Sequence, residues 1–229
     1  MNLQDTTPLP RPAARSGRSA IEPIWLEWLA LGGMLVFATW LMGARGVWGL
    51  LLSADPTGIT LIIIVIFAGA TLWCGARSRE LQRQRGALGQ PRTADGSESW
   101  AADYWRALAA APRDSGAPLD LLVEHTHGPH GTAWWVNGIL LKLGLLGKVI
   151  GFSILALQIG QMQNFDASQS QDLLRSLTTG LGVALLTTMV GLVGNILLGL
   201  QLTRLDRFAD QLVADCQRIG LDVPQAAPP

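Results

Sequence analysis

Apolar positions along this chain fall in long unbroken runs, not in the alternating or one-faced patterns of soluble strands and helices. Four such runs stand out, at about Ile24–Ala44, Thr57–Cys74, Trp134–Gly160 and Leu177–Leu202. About 20 apolar residues, each rising 1.5 Å, suffice to cross the hydrocarbon core of a bilayer. Each run therefore predicts a transmembrane helix, and the chain reads as an all-α membrane protein with four spans. Residues 1–22 are polar, carry Pro8, Pro10, Pro12, Arg11, Arg15 and Arg18, and predict a disordered cytoplasmic N-terminus. The apolar run that follows is too long for a cleaved leader and has no clear small-x-small site, so it reads as an uncleaved first span. Trp25, Trp28 and Trp40 flank it as interfacial anchors, and Glu27 falls at headgroup level. Arg45–Pro56 reads as a short connector with a turn signal. The second span, centred on LIIIVIFAGATLW, is β-branched and suits a lipid-facing helix.

The polar stretches between the runs orient them. Arg77, Arg79, Arg83, Arg85 and Arg92 form the densest basic cluster, which the positive-inside rule places in the cytoplasm. Gln161–Gln171 has no basic residue and reads as external, whereas Arg204, Arg207 and Arg218 mark a cytoplasmic tail. Both termini are then inside. The expected division is 1–22, the N-terminal segment; 23–75, two spans; 76–132, a cytoplasmic loop; 133–203, two further spans; and 204–229, a cytoplasmic tail. Within the loop, residues 86–98 carry Gly, Pro and Ser, and Trp100–Ala111 predicts a short helix with Trp105 and Leu108 on one face. The histidines of His125-Thr126-His127-Gly128-Pro129-His130 admit a zinc reading. The Gly128-Pro129 break and the lack of a fourth ligand at fixed spacing favour an interfacial loop instead, and no metal or cofactor is assigned.

Composition agrees with a membrane protein. The 229 residues are 49% hydrophobic and only 15% charged, with 26 glycines and 9 tryptophans, and the mean hydropathy is +0.30. Soluble domains carry about 25% charged residues. Seventeen basic and seventeen acidic residues balance to zero, so nothing electrostatic favours a nucleic-acid partner. Cys74 and Cys216 fit no metal or redox spacing. No nucleophile–base pair or phosphate loop appears, so the chain is not read as an enzyme.

The last two spans are unlike the first two. The third carries Lys142 and Lys148 and a ladder of Gly144, Gly147 and Gly151. A helix packed only on lipid needs none of these, since small residues admit close helix approach and intramembrane charges face protein or water. On the fourth, Gly180, Ala184, Thr188, Gly191 and Asn195 recur along one helical face. That face reads either as plain helix packing or as a polar lining, with the Thr187 and Thr188 hydroxyls available to a passing water, ion or side chain. Neither span contains Asp or Glu.

On these residues the chain resembles a known family. LGLLGKVIGF, from Leu143 to Phe152, is similar to the LGLLGTVxG signature of the MotA/TolQ/ExbB proton-channel proteins. GLGVALLTTMVGL, from Gly180 to Leu192, is similar to their last-helix Gly-x-x-x-Ala-Leu-x-x-Thr-x-x-Gly-Leu pattern. The likeness covers about residues 134–210, and two closely spaced leading spans resemble the MotA arrangement. It implies a homopentamer in the bacterial inner membrane, with the last two helices lining a pore around single-span partners of the ExbD/TolR/MotB type. A partner aspartate carries the proton. By this likeness the pore threonine is Thr188, and with the polar residues already named the expected proton path holds Thr188, Thr187, Lys148 and Asn195. Gly144, Gly147, Gly151, Gly180, Ala184 and Gly191 are the close-packing positions. The chain departs from the pattern at Lys148, where the family commonly has threonine, and at Val183, where ExbB-type proteins carry glutamate. The expected function is a subunit that couples the proton-motive force to work in its partner. The alternative is a non-conducting scaffold that locks a partner helix through Lys148.

Overall fold

The computed structural model describes residues 24–55, 57–88, 99–110, 116–160 and 167–222, and every regular element among them is an α-helix. In order these are α1 (Ile24–Ala44), α2 (Val47–Ala54), α3 (Ile59–Ala87), α4 (Trp100–Ala110), α5 (Gly116–Gly160) and α6 (Ala167–Asp222). Expectations for residues 1–22, most of the 86–98 loop, and the 161–166 part of the external loop lie outside the described residues.

Three helices, α3, α5 and α6, are long and apolar enough to cross a membrane. Only 28%, 22% and 33% of the residues in their apolar windows are buried. Apolar surface left this bare has water as an unfavourable neighbour and a bilayer as a favourable one. The chain is thus a helical, multi-pass membrane protein. The apolar part of α1, Trp28–Ala44, is shorter.

The expected loop at 76–132 is largely helical. α3 continues past Cys74 through the basic cluster to Ala87, and α5 begins at Gly116, before the histidines. The expected C-terminal tail is likewise the continuation of α6 to Asp222. At 45 and 56 residues, α5 and α6 extend about 68 and 84 Å at 1.5 Å per residue. Both therefore project far beyond a hydrocarbon core of about 30 Å.

The Gly128-Pro129 pair does not break α5, and the reason is visible. A proline inside a helix has no N–H for the carbonyl four residues before it, which here is that of His125. Arg77, on α3, donates from its guanidinium to that carbonyl and to the Thr126 carbonyl at 3.0 Å. The guanidinium also lies 5.1 Å over the Trp100 ring at the start of α4. A side chain from 48 positions upstream thus supplies the donor that the proline lacks.

α5 and α6 form an antiparallel pair that α3 flanks, with α1 against α3 and α4 against the start of α5. Ile63, Leu81, Leu140, Leu198, Leu202 and Leu212 are almost fully buried where these helices meet. α1 is anchored by Trp28, whose Nε1 donates to the Thr71 carbonyl at 3.1 Å and whose ring lies against Gly75, where any Cβ would collide. Entry into α3 is set by Asp55, which accepts from the Thr57 and Thr60 N–H groups at 3.0 and 2.7 Å. Gly58, at φ 72°, makes the intervening left-handed turn that a side chain would strain.

Candidate functional site

The two long helices meet along a row of small residues. A Cβ added at Gly191 would lie 2.8 Å from the Leu140 carbonyl and 2.9 Å from the Gly144 Cα. One at Gly144 would meet the Thr187 carbonyl at 3.2 Å, and one at Gly151 would meet Gly180 and Ala184 backbone atoms at 2.9 Å. At Gly180 the neighbours are Leu155 and the Gly151 carbonyl, at 3.1 and 3.2 Å. The backbones touch because side chains are missing. Such contact maximises dispersion attraction between helices that gain nothing from hydrophobic burial in lipid.

The two threonines part company here. Thr187 is fully buried against Gly147, where an added Cβ would lie 2.5 Å from its Oγ1, and that hydroxyl donates to the Val183 carbonyl at 2.9 Å. It is a seam residue. Thr188 is half-buried, and its hydroxyl lies 2.8 Å from the Ala184 carbonyl and 3.2 Å from the Gly144 carbonyl across the seam. Asn195 is also half-buried and donates from Nδ2 to the Asn137 carbonyl at 2.9 Å.

Helical spacing shows which way these residues face. At about 100° per residue, Lys148 lies about 65° around α5 from the line of Gly144, Gly147 and Gly151. Thr188 lies about 70° around α6 from its own seam line, in the same rotational sense. In an antiparallel pair, equal senses open on one side, so Lys148 and Thr188 border one flank of the seam, with Asn195 at its edge. The opposite flank holds α3: Phe67 approaches Gly194 at 3.7 Å, and Gln201 donates to Thr71 at 3.3 Å. Lys148 is exposed, and its ammonium meets no carboxylate among the described residues. Lys142 is exposed too, but its spacing turns it away from α6.

Beyond Trp134 the same pair of helices is joined differently. His130 and Trp134 hold the two carboxylate oxygens of Asp206 at 2.7 and 2.9 Å, and His127 Nε2 lies 3.0 Å from Asp210. His130 is 2% exposed, stands edge-on to Trp73 of α3, and leaves its Nε2 buried without a partner. Burial pushes the His130 pKa below its ordinary value, the Asp206 carboxylate opposes that shift, and Arg77 and His127 add to it. The expected interfacial loop is therefore a helix-to-helix polar contact. His125 stands apart from it, bonded to the Leu121 carbonyl and facing Trp100. No group of three or more His, Cys, Asp or Glu is placed to hold a metal ion among the described residues.

Asp206 and Asp210 were not singled out by sequence reasoning, and a signal for them existed. Their i, i+4 spacing matches the i, i+3 spacing of His127 and His130 once α5 and α6 are both extended. Asn137, 6% exposed with an unpartnered Oδ1, was also overlooked, because one amide in an apolar run carries no pattern. No family model, curated protein or solved structure matches this chain.

Proposed function

We propose that the chain is a proton-channel subunit of the bacterial inner membrane, a stator or energiser that couples the proton-motive force to work in a single-span partner. The observation that carries the reading is the open flank of the α5–α6 seam. Thr188, Asn195 and Lys148 border it, and no carboxylate occurs in either span. A hydroxyl-lined flank without an ionisable acid needs the acid from another chain, and a bare ammonium in an apolar helix needs a counter-charge. An aspartate on a partner helix laid along this flank meets both needs. The resemblance of Leu143–Phe152 and Gly180–Leu192 to the MotA/TolQ/ExbB signatures supports the same arrangement. In this reading α1 is the first of four spans, both termini are cytoplasmic, and five copies surround the partner helices.

The same lysine favours a second reading, a non-conducting scaffold in which Lys148 holds the partner aspartate as a fixed ion pair. One experiment separates the two. The chain is reconstituted in vesicles with and without a single-span protein of the ExbD/TolR/MotB type that bears an intramembrane aspartate, and proton entry is followed with a trapped pH dye under an imposed potential. The channel reading expects uptake that falls about tenfold or more, equivalent to 1.4 kcal/mol, in Thr188→Val. The scaffold reading expects no uptake and a complex that dissociates in Lys148→Thr. Neither uptake nor a complex would sink both.

A further inference from the structure

From Leu140 towards the basic helix ends, the buried stripe of α5 turns polar. Asn137, Ala133, His130 and Thr126 continue the face that Gly144 and Leu140 begin, and all are buried. Where α3, α5 and α6 meet, three buried side-chain atoms have no partner: Asn137 Oδ1, Gln201 Oε1 and His130 Nε2. Buried polar atoms without a protein partner are commonly met by ordered internal water. Small residues accompany them. Ala133 lies between Asn137 and His130, and Gly199 faces Asn137, where an added Cβ would lie 3.4 Å from Nδ2. Asn195, at the edge of the open flank, donates to the Asn137 backbone carbonyl. A line of polar groups thus leads from that flank to His130, two helical turns or about 10 Å beyond Asn137.

His130 is arranged as a base at the end of this line. Its Nδ1 lies 2.7 Å from Asp206 Oδ1, and a carboxylate only accepts, so Nδ1 carries the proton and Nε2 keeps its lone pair. An aspartate that holds an imidazole in this tautomer leaves the far nitrogen free to take a proton. Side-chain exposure rises outward, from 3% at His130 to 28% at His127, 31% at Asp206 and 71% at Asp210. The His127 ring stands 5.8 Å from that of His130. Its Nδ1 lies 2.8 Å from the Thr126 hydroxyl, which has the Leu122 and Val123 carbonyls at 3.0 Å. That hydroxyl can donate to a neutral His127 ring and turn to a carbonyl when the ring is charged, so either state keeps its bonds. On the α3 side the charged or titratable groups are Arg77, whose charge acts on His130, and Cys74, which feels Asp206.

We propose that His130, oriented by Asp206, is the proton relay at the basic end of the pore, with His127 and Asp210 as its outlet to water. The proposal rests on the channel reading. A proton brought by water along the Asn137–Gln201 line binds Nε2. The proton on Nδ1 leaves through the Asp206 carboxylate to water beside His127 and Asp210, and rotation of the ring resets it. One proton enters for each that leaves, and no other reactant is needed. Histidine suits the task because it exchanges protons near neutral pH.

The test uses the same vesicles and partner, with proton uptake measured over a pH series on the side of the basic helix ends. His130→Gln is expected to lower uptake about a hundredfold, the low end of what a positioned acid–base group contributes, and to flatten its pH dependence. His127→Gln should have a smaller effect in the same direction. His125→Gln, which removes a histidine outside the relay, should change neither uptake nor its pH profile. Uptake that responds to Thr188→Val but not to His130→Gln overturns the relay and leaves the channel reading standing, as does a His130→Gln variant whose uptake falls with the pH profile unaltered. No uptake by the unaltered complex sinks the channel reading and the relay with it. Should His130→Gln fail to fold, nitrogen NMR of the unaltered protein with labelled histidine decides the matter. The relay expects the His130 ring as the Nδ1–H tautomer at pH 8, and an Nε2–H tautomer overturns it.

Discussion

The α5–α6 pair is two contacts laid end to end. From Leu155 to Asn137 the helices meet through missing side chains, with glycine backbone against threonine and leucine backbone. From Trp134 to His127 they meet through side chains that reach, two histidines and an indole on two aspartates. In the first stretch no charged side chain joins the contact, and the distance between axes is the sensitive quantity. In the second, charge and hydrogen bonding carry the contact, and a change of pH can alter it without moving any backbone. The pair is thus sterically fixed at one end and chemically adjustable at the other.

The sharpest way to break this contrast is to add volume to the seam. Gly191→Leu drives a side chain into the Leu140 carbonyl and Gly144, and overpacking of a close contact costs about 1–3 kcal/mol or more. The variant should unfold at markedly lower temperature. Gly138→Ala, which meets nothing within 4 Å, should be almost silent. Equal effects of the two would mean that the seam does not bear the load assigned to it.

A smaller effect is expected in the polar stretch, and it should be uneven. Asp206→Ala leaves buried His130 and the Trp134 indole without their acceptor, a loss of about 1.5–3 kcal/mol for hydrogen bonds to a charged group. Asp210 has a side chain 71% exposed, so Asp210→Ala should cost about 1 kcal/mol or less. Chemical unfolding of the two variants in the same detergent provides the comparison, and a reversed order would contradict the burial argument.

The smallest expected effect is the pH dependence of that stretch. Burial holds the folded His130 pKa below the ordinary histidine value of 6.5, so folding favours the neutral ring. The associated stability is present above about pH 6.5, the unfolded value, and is lost as pH falls through the lowered folded value. Melting temperature should therefore fall from pH 7 towards pH 5 in the unaltered protein and fall less in His130→Gln. A steeper fall in the variant would reverse the assigned sign.

The apolar runs were legible as helices because length and composition alone decide whether a segment can satisfy its backbone inside lipid. The small residues of the third and fourth runs were legible as faces, since 3.6-residue spacing is a local property. What was not legible depended on other parts of the chain. Gly128-Pro129 reads locally as an interruption, and the donor that stands in for the missing proline N–H, Arg77, sits on another helix. Thr187 and Thr188 are equivalent in a list of hydroxyls, yet a turn of about 100° puts one inside the seam and the other at its edge. Asp206 and Asp210 looked like the start of a solvated tail, because their histidine partners are more than 70 positions away.

The Arg77 contact also has a mechanical meaning. The carbonyls of His125 and Thr126 sit where α5 has lost a rung of its own ladder, and their donor belongs to α3. Bending of α5 at Pro129 and sliding of α3 past it are therefore one degree of freedom, because neither can proceed far while the guanidinium stays in place. The joint is stiff when α3 is seated and compliant when it is not, so the rigidity of the longer helix is set by the position of its neighbour.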